Sequence, residues 1–103
     1  MSRPAHSFVA EIWESDSMDA WAFATVPPQV SEDIRLHAGP PRGFGSVRVE
    51  MTLGTTTWRT SVFPDRKSGC YLLPVKKAVR RAEGVEAGDE VGLRLVLVDA
   101  EVG

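Results

Sequence analysis

Apolar and polar positions alternate along most of this chain, with the period of two that marks half-buried strands. From Ser7 to Glu14, Phe8, Ala10 and Ile12 point one way while Val9, Glu11 and Trp13 point the other. Ser15, Asp16 and Ser17 supply turn chemistry, because short polar side chains bond their own backbone. Ala20 to Val26 resumes a strand, with Trp21 and Phe23 on one face and Ala22 and Ala24 on the other. The pair reads as a hairpin, ended by Pro27 and Pro28, which offer no ladder donor. The cleanest alternation follows: Val47, Val49, Met51 and Leu53 face inward, and Ser46, Arg48, Glu50 and Thr52 face water. Gly54 turns the chain, and Thr56 to Phe63 returns as a strand rich in types that suit a pleated surface. Beyond a polar loop from Pro64 to Gly69, Cys70 to Leu73 is a short strand stopped by Pro74. Val91, Leu93, Leu95 and Leu97 define the last strand. Val96 and Val98 on its other face predict a central strand covered on both sides.

Two stretches break that period. Ser31 is placed to cap a short helix, with Glu32 and Asp33 in its first turn, where the helix dipole favours negative charge. Val30, Ile34 and Leu36 would anchor it, Gly39 would stop it, and Pro40 to Gly43 is loop. Val75 to Glu83 reads as a second helix that buries Val75, Ala78, Val79 and Ala82, with Gly84 at its C′ position. Gly88 and Asp89 form a further turn. The predicted fold is therefore mainly β, a small six-stranded β-barrel capped by two short α-helices. The 103 residues suffice for one domain with one core.

Charge and composition narrow the function classes. A formal charge of −2 argues against bulk binding to nucleic acid, which needs excess cations facing the phosphates. One cysteine, Cys70, allows no intramolecular disulfide and fits a reducing cytoplasm. Met1 to Ser7 has no signal-peptide character, and no apolar run approaches the roughly 20 residues of a membrane helix. The expectation is a cytoplasmic protein with no membrane partner.

The densest charge is Lys76, Lys77, Arg80 and Arg81, which fall within an arc of about 140° on a helix. Outside them the chain is net −6, eight basic residues against fourteen acidic. That asymmetry supports an anion or partner site; the competing reading is a solvated helix face. Trp58, Arg59 and Tyr71 mark a second candidate, the lining of a pocket. Trp13, Trp21 and Trp58 suit either a pocket wall or core positions whose indole N–H finds an acceptor. Trp13, sharing a face with Glu11, is expected to be the most exposed.

Arg42-Gly43-Phe44-Gly45-Ser46-Val47 matches part of an RNA-binding signature, but Ser46 and Val49 occupy positions that need stacking rings. Glu14, Asp16 and Asp19 lack the spacing of a calcium loop. His6 and His37 have no second ligand at metal spacing. Cys70 lacks a partner and reads as a small buried hydrophobe. The sequence contains no nucleophile elbow, phosphate loop or zinc-protease helix motif. No catalytic residue, metal or cofactor is expected.

Three stretches carry a family resemblance. They are Trp21-Ala22-Phe23 running to Val26-Pro27, then Thr60-Ser61-Val62-Phe63-Pro64. The third runs from Gly69-Cys70-Tyr71-Leu72-Leu73-Pro74 through Val75-Lys76-Lys77-Ala78-Val79-Arg80-Arg81-Ala82, then to Gly84, to Gly88-Asp89-Glu90-Val91 and to Asp99. In this order the chain resembles the bacterial DUF1905 family from about Phe8 to Asp99. The resemblance implies a double-split β-barrel without an established activity, often beside a bacteriocin-protection-like domain. The Asp65-Arg66-Lys67-Ser68 loop departs from the family pattern by lacking an extra glycine. Val79 to Val91 also resembles the AbrB-type swapped-hairpin proteins, usually DNA-binding dimers. The leading reading is a non-enzymatic binding module for a protein partner or small ligand. The alternatives are a DNA-binding, antitoxin-like regulator working through residues 75–83, and a small-molecule-binding or hydrolytic barrel.

Overall fold

The computed structural model describes residues 5–16, 21–38 and 45–98. Six strands, β1 (Ala5–Glu14), β2 (Ala22–Thr25), β3 (Val47–Leu53), β4 (Thr56–Pro64), β5 (Tyr71–Pro74) and β6 (Glu90–Leu97), alternate with two helices, α1 (Pro28–His37) and α2 (Lys77–Glu83). The strands close into an antiparallel barrel in the order β1-β2-β5-β4-β3-β6. Two strands are shared between the halves of the barrel. β1 pairs with β6 along Ala5–Glu11 and with β2 along Ile12–Glu14. β4 pairs with β3 along Thr56–Val62 and with β5 at Phe63 and Pro64. These crossings close the six-stranded barrel that the strand pattern predicts, with two strands split between its halves as the family resemblance implies.

The alternation in β3 fills the interior as expected: Val47, Val49, Met51 and Leu53 are buried and meet Leu93, Leu95 and Leu97 of β6. Phe8 packs against this core from a half-buried position. In β2 the buried face is the small one. Ala22 and Ala24 point inward, Phe23 lies outside, and Trp21, the residue before the strand, is exposed.

Five sequence-based expectations are corrected. Ser31 does not cap α1. Pro28 occupies the first turn, where its fixed φ and missing N–H cost nothing, and Ser31 is a buried residue inside the helix. Leu36 anchors nothing and is exposed, whereas Ile34 is fully buried. α2 begins at Lys77 instead of Val75, because the Val75 N–H continues the sheet by donating to the Ala22 carbonyl at 2.9 Å. Only Val79 of α2 is buried, and Ala78 and Ala82 face outward. β6 is central, with β1 and β3 on its flanks, but its outer face is open at Gly92 and Arg94. A closed barrel gives every strand two neighbours and only one interior face. The expected stop at Gly39 and the loop over residues 40–43 lie outside the described residues.

α2 is fixed at its far end. Gly84 adopts a left-handed conformation, φ 66°, and donates back to the last turn. The Glu83 carboxylate accepts hydrogen bonds from Thr55 Oγ1 at 3.3 Å and Thr56 Oγ1 at 2.5 Å, tying the helix to the β3–β4 turn. No described helix is long and apolar enough to cross a membrane.

Candidate functional site

The outer face between β2, β5 and β4 carries the most distinctive chemistry. On β1 and β2, Trp13 and Phe23 sit opposite each other in register, with ring centroids 5.1 Å apart. Trp21 stacks on the same Phe23 ring at 6.1 Å and 29°. Trp13 Nε1 donates to Thr25 Oγ1 at 3.0 Å, which fixes the inner end of this ladder. The outer end, Trp21, remains 53% exposed. Trp21 is thus the most exposed of the three indoles, in place of the expected Trp13; the 12→24, 13→23 pairing stacks Trp13 beneath Phe23.

Trp21 stands between two adjoining hollows. The smaller, about 350 Å³, is walled by Trp21, Pro74 and Val75 and carries Lys76, Lys77 and Arg80. The larger, about 460 Å³, runs over the outer face of β3 and β4, with Arg48, Arg59, Thr60, Ser61 and Phe63. Trp21, Pro74 and Lys76 line both and form the rib between them. Phe63, 43% exposed, is a second open ring in the larger hollow. Five of the ten described lysines and arginines therefore border one groove.

The strand register explains the convergence. Arg48 pairs with Ser61 and Glu50 with Arg59, so the outward residues of β3 and β4 share one surface. Arg59 Nε lies 3.6 Å from Glu50 Oε2. Arg80 Nε donates to the Val75 carbonyl at 3.1 Å and is partly held. Among the described residues, Arg48, Lys76 and Lys77 enter no ion pair. Of the four cations singled out in sequence, Lys76, Lys77 and Arg80 line the groove. Arg81 is exposed and does not.

The second candidate set is dispersed. Trp58 lies on the inner face of β4 and packs on the core, with its Nε1 buried and unpartnered among the described residues. Arg59, next in sequence, is on the outer face and lines the larger hollow. Tyr71 is buried, with the Arg35 guanidinium 5.4 Å from its ring centroid. Arg35 also donates to the Gly69 carbonyl, so α1 covers the start of β5.

His6 and His37, far apart in sequence, approach one carboxylate. His6 Nε2 is 2.8 Å from Asp33 Oδ2, in ion-pair range though without hydrogen-bond alignment. His37 Nδ1 is 3.2 Å from Asp33 Oδ1. No group of three or more His, Cys, Asp or Glu among the described residues is arranged to hold a metal ion. Cys70 is free and buried. The Asp65 loop closes on itself: Ser68 Oγ donates to Asp65 Oδ2 at 2.8 Å, and this bond holds the carboxyl below its ordinary pKa. Arg42 to Phe44 and Asp19 lie outside the described residues.

A family model described as "Domain of unknown function (DUF1905)" matches residues 8–95. No curated protein matches the chain.

Proposed function

The chain belongs to the DUF1905 family, and we propose that it serves as a non-enzymatic binding module whose ligand is an anion seated in the Trp21 groove. The observation that carries this reading is the position of Lys76. It stands on the rib between two hollows, with Lys77 and Arg80 on one side and Arg48 and Arg59 on the other. In a chain of formal charge −2, such a concentration focuses potential on one face and draws anions to it. The cations converge on walls that also carry Trp21, Phe63, Pro74 and Val75, joining apolar surface to placed polar groups as ligand clefts do.

The test is titration of isotopically labelled protein with 1-naphthyl phosphate, read by amide shifts. Shifts should centre on Trp21, Ser61 and Lys76. The Arg48→Ala/Lys76→Ala double variant should bind at least tenfold more weakly while keeping its fold. Absence of shifts at millimolar probe, or undiminished binding by the double variant, would overturn the reading.

The DNA-regulator alternative ranks second. α2 has seven residues, about 10 Å at 1.5 Å per residue, and three of its associated cations turn toward Trp21 instead of forming a free helical face. The hydrolytic alternative is weaker still: among the described residues no carboxylate lines the groove, and Glu50, opposite Arg59 in register, is already engaged by it.

A further inference from the structure

We infer that the anion taken by this groove is single-stranded nucleic acid, with one base stacked on Trp21 and the flanking phosphates held on either side of it. The inference rests on the anion-binding reading and adds the base. A site for phosphate alone needs cations, and an exposed indole contributes little to it. Here the indole is built in. Trp13 is fixed by Thr25, Phe23 packs on Trp13, and Trp21 stacks on Phe23. The ladder holds Trp21 in one orientation and leaves its outer part open. A pre-oriented ring loses little freedom when a flat partner lands on it.

The charges divide around that ring. Lys76 lies on the rib, Arg80 borders the hollow on one side, and Arg48 and Arg59 border the other. A free mononucleotide has phosphate on one side of its base only. A strand passing over Trp21 has phosphate on both. Phe63 in the second hollow offers a platform for a neighbouring base. Aromatic platforms interleaved with cations are the usual means of binding single strands without sequence preference. In duplex DNA the base faces are covered by their stacked neighbours, so a duplex cannot use this surface in the same way.

The experiment measures anisotropy of a fluorescein-labelled thymidine decamer and quenching of intrinsic tryptophan fluorescence. The competitors are the same sequence as duplex, thymidine monophosphate, inorganic polyphosphate and polyglutamate. Binding of the decamer with quenching, weakening steeply with salt through counterion release, is expected. Trp21→Ala should weaken it at least tenfold and abolish most of the quenching, Trp21→Phe should restore most of the affinity, and circular dichroism should remain unchanged for both. Polyphosphate or polyglutamate competing as well as the decamer would overturn the inference and leave the anion-binding reading intact. Thymidine monophosphate binding as tightly as the decamer, or preference for the duplex, would also overturn it. If no anion binds, both readings fall together.

Discussion

The buried hydroxyl of Ser31 accepts the backbone N–H of Tyr71 at 3.0 Å. The same oxygen donates to the Val26 carbonyl at 3.0 Å, so one side chain joins the end of β2, the middle of α1 and the start of β5. Buried backbone groups need partners, and here the helix supplies one to the sheet. Ser31→Ala leaves the Tyr71 amide and the Val26 carbonyl short of that partner. The expected loss is about 1–3 kcal/mol in urea denaturation. A loss below about 0.5 kcal/mol would show that water or a backbone shift replaces the hydroxyl.

Gly54 and Glu83 should be energetically coupled. Gly54 has φ +60°, and a Cβ there would collide with the Glu83 carboxylate. Gly54→Ala therefore incurs the left-handed penalty of about 1–2 kcal/mol and also displaces the group that holds Thr56. In a Glu83→Ala background the collision is gone, and the same change should cost less. Additive losses, within about 0.5 kcal/mol, would disprove the coupling.

Leu95 is fully buried and sits in register with Met51 on one side and His6 on the other. Leu95→Ala should cost about 2–5 kcal/mol through the cavity it leaves. A negligible change in the denaturation midpoint would mean that the barrel interior collapses around the gap.

Asp65 should titrate below an ordinary aspartate, chiefly because Ser68 Oγ donates to it, with smaller help from the Ser68 and Lys67 backbone and the Lys67 charge. A depressed folded-state value favours the folded protein above the unfolded-state pKa of about 3.9. That contribution disappears as pH falls below it and through the folded-state value. Carbon-detected titration should give a low midpoint in the wild type and a higher one in Ser68→Ala. Equal midpoints would assign the shift to something other than the hydroxyl.

Much of the fold was legible because β3 alternates without a fault. Val47, Val49, Met51 and Leu53 admit only one inward face, and a one-residue slip would expose all four. The start of α1 was misread because two start signals compete within four residues. Ser31 has the chemistry of a cap, but Pro27 and Pro28 were the stronger signal. The burial of the alanine face of β2 could not be read from that strand alone, because its aromatics pack on one another outside the barrel. The basic run at residues 76–81 was visible, yet its meaning depended on Trp21, Arg48, Arg59 and Phe63. These come from distant parts of the chain and meet only through the β2-β5-β4-β3 order. His37 meets Asp33 within one helix, four residues apart, a spacing readable in the sequence, whereas His6 reaches the same carboxylate from β1 only through the fold.

The pairing of β1 with β6 sets a condition on how the molecule is made. Ala5 opposes Val96, and Glu11 opposes Glu90, so the first strand finds most of its ladder only in the last. During synthesis β1 can form its short hairpin with β2 early, but its longer half must wait for β6 to leave the ribosome. β6 must then insert between β1 and β3. Contacts this remote in sequence are entropically slow to close, and until they do, the inward side chains of β1 and β3 stand open to other chains.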